Sequence, residues 1–177
     1  DVVIVEIDDE SYRLMPESYP YSRGRVWSKV IKNLTDAKAK VIVFDIMFDS
    51  PDHTSKILKN NLNSECANCS YIDGDKQFLE SVKYANQNGT NIVLASKISS
   101  DINRVPMEYI ILPNGKIMDA SIKTGLVNVI ADDIDFVFKR YPIFFKIDSN
   151  PDKLYLTLAV QSVLSFNNID EVKINQN

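Results

Sequence analysis

The sequence predicts a single three-layer α/β domain, with a mixed, mostly parallel sheet, helices on both faces and an antiparallel late portion. Three observations lead there. The runs 2–11 and 41–49 are short, rich in β-branched residues, nearly unbroken in apolar character, and each ends in acid; strands buried on both faces read this way. Between them Trp27, Val30, Ile31 and Leu34 fall at i, i+3, i+4 and i+7, one face of a helix. Beyond residue 108, short apolar runs alternate with turn residues, as antiparallel strands do. The first two observations make a βαβ unit with parallel neighbours and a right-handed crossover.

Taken in order, the first strand runs into Asp8, Asp9, Glu10 and Ser11, which begin a short helical turn that Pro16 ends. Tyr19-Pro20-Tyr21-Ser22-Arg23 is a loop stiffened by proline, and Gly24 leads it into a helix reaching about Thr35. Val41 to Phe44 is the second strand. From Asp52 to Gly74 the chain is polar, and 60–74 is expected to be an inserted loop. Asp73-Gly74-Asp75 caps a helix that turns Phe78, Leu79, Val82 and Ala85 inward and stops at Gly89. Ile92 to Ala95 is the third buried strand. Later, 109–112 and 116–118 around Pro113-Asn114-Gly115 form a hairpin or an edge excursion. Gly125 to Val129 is a strand, and the aromatic run 136–145 returns antiparallel to it. Asn150-Pro151 opens the last helix, with proline in the first turn.

The length suits one domain with a sizeable core. A net charge of −4 without any arginine-rich stripe excludes nucleic acid as a partner. No apolar run reaches the ~20 residues that cross a bilayer. The chain opens on Asp1 rather than Met, as expected of a piece excised from something longer. Cys66 and Cys69, spaced C-x2-C in a polar loop, lack the second half of a zinc site; two free thiols and a small-loop disulfide both fit. No phosphate-binding glycine loop or phosphotransfer motif is present, and His53 is the only histidine, so no cofactor is implied.

The motifs Val3-Ile4-Val5-Glu6-Ile7-Asp8-Asp9-Glu10-Ser11, Tyr19-Pro20-Tyr21-Ser22-Arg23, Lys40-Val41-Ile42-Val43-Phe44-Asp45, Gly125-Leu126-Val127-Asn128 and 133–140 occur in that order. In this order and spacing the chain resembles the type-two CHASE domain, the cyclase/histidine-kinase-associated sensory extracellular domain. The resemblance covers nearly the whole chain. It implies an extracytoplasmic sensor of a bacterial membrane receptor, anchored through flanking membrane helices, with a cyclase or kinase as output and no catalytic activity of its own. It also implies an unidentified small-molecule or periplasmic protein ligand. The late motif would contribute Asn128, Asp133, Asp135 and Arg140, although Phe136 stands where the family has glycine. Outside the cytoplasm, Cys66 and Cys69 would be disulfide-bonded. The apolar late segment beside the last helix predicts a homodimer.

Candidate site residues follow from the strand ends. Asp8, Asp9, Arg23, Asp45 and Asp49 should share the C-terminal edge of the sheet, where ligands bind in open α/β folds. Such acids can hold a divalent cation, serve a metal-dependent hydrolase, or cap helices and pair with Arg23. The structural role is favoured. Arg23 itself reads either as an internal lock on Asp8 or Asp45, or as a fork for an anionic ligand; the lock is favoured.

Overall fold

The computed structural model describes residues 1–15, 17–52, 73–119, 121–130, 138 and 140–170. In chain order these form α1 (Asp9–Leu14), a π-helical turn (Arg23–Trp27), α2 (Ser28–Asp36), β1 (Val41–Phe44), α3 (Gly74–Gln87), β2 (Asn91–Ser100), β3 (Glu108–Ile111), β4 (Lys123–Leu126), β5 (Phe144–Ile147), β6 (Asn150–Leu156) and α4 (Leu158–Phe166).

Strand β2 is the spine, and its length lets it take three partners. Its first half runs parallel to β1, with Ile92 opposite Ile42 and Leu94 opposite Phe44. Its middle runs parallel to β4, with Ala95 opposite Gly125 and Ser96 opposite Leu126. Its last four residues run antiparallel to β3, with Ile98 opposite Ile110. Strands β5 and β6 form a separate antiparallel pair. The mixed, mostly parallel sheet and the antiparallel late portion are thus both present.

Side chains alternate across a strand, so β2 feeds two layers. Ile92 and Leu94 join Ile42, Phe44, Trp27, Ile31, Phe78, Val82 and Ala85 in one core beneath α2 and α3. Phe78, Val82 and Ala85 sit at i, i+4 and i+7 of α3, and all are fully buried. Burying each large side chain contributes about 1.5–3 kcal/mol. On the other face α4 lies directly on β4: a Cβ added to Gly125 would meet the Leu158 Cα at 2.5 Å. Helix α3 carries the expected ends. The Asp73 side chain accepts from the Asp75 and Lys76 N–H groups, and Gly89 has φ +80°.

Several expectations need correction. Residues 1–8 form no strand, and Val2, Val3 and Ile4 are 93, 82 and 84% exposed. The segment lies along β1 across clefts of about 580 and 600 Å³, with Val3 and Val5 on one side and Ile42 and Val43 on the other. Apolar, β-branched composition reports what fits a sheet, but a ladder also needs paired N–H and C=O groups in register. Residues 116–118 are not a hairpin strand. Ile117 is a fully buried plug in a turn, its N–H bonded to the Asn114 carbonyl at 3.0 Å; β3 pairs with β2 instead. The strand expected at 125–129 is β4, which starts earlier and ends at Leu126.

The late segment was the least accurate reading. Strand β5 pairs with β6, not with β4, and Asn150-Pro151 opens β6 rather than a helix. The residues of Asp148-Ser149-Asn150 favour turns and caps alike, and here they turn a hairpin. Pro151 is exposed on a two-stranded sheet, where a missing N–H is tolerated. The helix instead begins after Thr157. The insertion at 60–74, Cys66, Cys69, His53, Asp133, Asp135 and Phe136 lie outside the described residues, except Asp73 and Gly74 at the start of α3.

Candidate functional site

Arg23 opens the π-helical turn between the Tyr19-Pro20-Tyr21 loop and α2. Such turns are rare and recur at functional positions. Gly24 makes this one possible, because a Cβ there would lie 2.2 Å from Gln77 Oε1 and 3.0 Å from the Gly74 Cα. The start of α3 therefore presses against the turn. Arg23 is 5% exposed. Its Nη1 donates to Asp75 Oδ1 at 2.5 Å, and its Nη2 donates to the Ser50 carbonyl. The guanidinium also lies 5.1 Å above the Phe48 ring.

The network closes on itself. The Asp52 N–H donates to both oxygens of Asp75 at 3.2 Å, and Asp52 Oδ1 accepts from the Arg23 N–H at 3.1 Å. Asp52 and Asp75 are 5 and 4% exposed. Asp75 stands in the first turn of α3, where the helix end favours negative charge. Beside this network lies a cavity of about 70 Å³, lined by Tyr19, Tyr21, Trp27, Ile46 and Asp52 among others. The Tyr21 hydroxyl is sealed there without a hydrogen-bond partner. Burial, then the neighbouring Tyr12 and Glu17, push its pKa above the ordinary 10.0 and keep it neutral. An aromatic series runs inward from this loop: Tyr19 to Tyr21 at 5.7 Å, Tyr21 to Trp27 at 6.1 Å, Trp27 to Phe48 at 5.9 Å and Phe48 to Phe78 at 5.4 Å.

Arg23 is thus an internal lock, but not on the expected partner. Asp45 is exposed and makes none of the ion pairs found among the described residues. Asp8 caps α1 instead, its Oδ1 accepting from the Ser11 N–H at 2.8 Å and the Ser11 hydroxyl at 2.7 Å. Those bonds lower its pKa from 3.8. Asp9 is an exposed first-turn residue of α1, and Asp49 is exposed. Among the described residues no three His, Cys, Asp or Glu side chains gather as a metal site. The acids follow strand ends in sequence, but without a first strand they do not converge on one edge. Sequence reasoning missed Asp75, which the helix start disguised as part of a cap, and whose partner stands 52 positions away.

The late motif has structural work. Asn128 extends the β4 edge with its side chain: Oδ1 accepts from the Ile98 N–H at 2.7 Å and Nδ2 donates to the Ile98 carbonyl at 3.1 Å. Arg140 is exposed.

A family model described as the CHASE2 domain matches residues 1–176. The chain belongs to the CHASE2 family. None of the curated proteins and none of the solved structures compared with it matches.

CHASE2 domains are sensory, typically extracytoplasmic, and not catalytic. The geometry of this CHASE2 domain suits that class. Its buried ion pair is consumed by internal hydrogen bonds and holds three chain segments together. No helix among the described residues is long and apolar enough to cross a membrane. Gly125 and Asn128 are explained by packing: Gly125 admits the backbone of α4, and Asn128 clamps β2.

Proposed function

We propose that this chain is the extracytoplasmic input domain of a bacterial transmembrane receptor. It detects a small molecule or a periplasmic protein and regulates a cytoplasmic cyclase or kinase. The match to the CHASE2 family along residues 1–176 carries the reading. In the receptor, flanking membrane helices anchor the domain and two copies associate. The outer face of α4 supports that association, since Val163 and Phe166 are 61 and 47% exposed beside the uncovered Val2 and Val3.

The test is a receptor carrying the domain between two membrane helices, with a nucleotide cyclase as output, expressed in a bacterium. Alkaline phosphatase fused after residue 170 of the domain should be active, which places the domain outside the cytoplasm. Deleting the domain, or breaking it with Arg23→Ala, should change cyclase output. A cyclase indifferent to both changes, or an inactive phosphatase fusion, refutes the reading.

A further inference from the structure

We propose that the cleft between the main sheet and the β5–β6 hairpin binds a small carboxylic acid with an apolar body. The cleft encloses about 540 Å³, a size that suits metabolites, whereas the cavity beside Arg23 holds about 70 Å³, enough for a few waters at most. Its walls come from both sheets. Ile110, Leu112 and Leu126 face it from the main sheet, and Leu154 and Leu156 face it from β6. The hairpin pairs with the main sheet at one isolated bridge, Leu126 to Thr157.

Three polar side chains of the cleft, those of Ser96, Thr124 and Gln161, have no hydrogen-bond partner among the described residues. Ser96 lines it and is 3% exposed. Its hydroxyl makes no hydrogen bond among the described residues. Among the described residues the side-chain atoms sealed from solvent without a partner are those of Tyr21 and Ser165, so the Ser96 hydroxyl is not among the sealed ones. The side chains of Thr124 and Gln161 line the same space and are equally unpaired among the described residues. Donors uncommitted within the protein are free to bond a ligand oxygen.

Charge selects the ligand class. Lys153 is the one charged residue of the lining among the described residues. Its ammonium joins none of the ion pairs found among the described residues and lies 5.0 Å above the Tyr155 ring. A single point cation with two hydroxyls and a carboxamide matches one carboxylate. A phosphate, with nearly two charges, calls for an arginine fork or a second cation, and the described residues of the lining offer neither. The apolar walls then hold the body of the acid.

Such a ligand would tie Ser96 and Thr124 of the sheet to Lys153 of the hairpin. Because β6 passes through Thr157 directly into α4, occupancy would fix the position of the last helix. That consequence rests on the sensor reading; binding itself does not.

The test is amide chemical-shift titration of the 177-residue chain with phenylacetate, hexanoate and 4-methylpentanoate, each beside its uncharged amide. At least one acid should shift Leu112, Thr124, Tyr155 and Gln161 below about 10 mM, and bind about tenfold more tightly than its amide. Lys153→Met, at an exposed position, should bring the acid down to the level of its amide. Ser96→Val should weaken acid and amide alike, with unchanged circular dichroism verifying the fold. The proposal fails if no acid of the panel shifts these amides, if the shifts centre on Val3 and Val43, or if acid and amide bind equally. Binding that meets every criterion, with no receptor response to the same acid, would instead count against the sensor reading alone.

Discussion

Removing the Arg23 side chain should be the costliest single polar change in this domain. The guanidinium is 6% exposed and its partner carboxylate 5%, so little solvent reaches either. In Arg23→Ala, Asp75 keeps the Asp52 N–H but loses its cation, and the Ser50 carbonyl loses a donor. Breaking a buried pair on one side costs about 3–5 kcal/mol. Domains of this size hold about 5–15 kcal/mol in total, so about a fifth of the stability or more is at stake. The matching fall in Tm is about 6–20 °C. Arg23→Lys should lose much of the same, because one ammonium cannot serve Asp75 and Ser50 as a fork does. Arg23→Met with Asp75→Asn should recover part of the loss, since no charge is then stranded. Asp45→Asn should be close to neutral. Urea melts of the four proteins, with equal slopes required for comparison, decide the matter. An Arg23→Ala protein within about 1 kcal/mol of the parent would refute the lock.

Gly125→Ala should destabilise the domain by about 1–3 kcal/mol or more, because the new methyl group would meet helix backbone at 2.5 Å rather than a flexible side chain; thermal melts read this. Asn128→Ala leaves the Ile98 N–H and carbonyl without partners, so it should cost about 1–3 kcal/mol and speed hydrogen exchange at Ile98. The Asp8 carboxyl, its pKa lowered from 3.8 by bonds from Ser11, contributes stability that is present above 3.8 and lost as pH falls through its lower folded value. Its carbon-13 carboxyl titration should therefore have a midpoint below 3.8, and Ser11→Ala should raise that midpoint.

Elements with a strong period and clear punctuation were legible. Helix α3 shows its capping aspartate, its terminal glycine and most of its inward face in sequence: Phe78, Val82 and Ala85 are buried as expected, while Leu79 is only half-buried. Strands β1 and β2 announce themselves as apolar runs between polar stretches. Where one residue type serves two structures, the reading failed: Asn150-Pro151 opens a helix as readily as it leaves a hairpin turn, and only pairing with β5 decides. The first strand failed for a related reason, since burial tendency is written in the side chains while ladder pairing is not. For the site, Arg23 was legible as a buried basic residue on a stiff loop. Its partner was not, because an ion pair across 52 positions leaves no local pattern.

One consequence follows from where Asp75 stands. The Asp52 N–H and the Asp75 carboxylate are 3.2 Å apart although 23 positions separate them. Through the chain itself, that contact closes a covalent ring across 23 positions. The entropy of closing such a ring grows only with the logarithm of its length, about 0.6 kcal/mol for each doubling. By that rule the closure entropy of the Asp52–Asp75 contact, across 23 positions, depends only weakly on how much chain lies between its two ends.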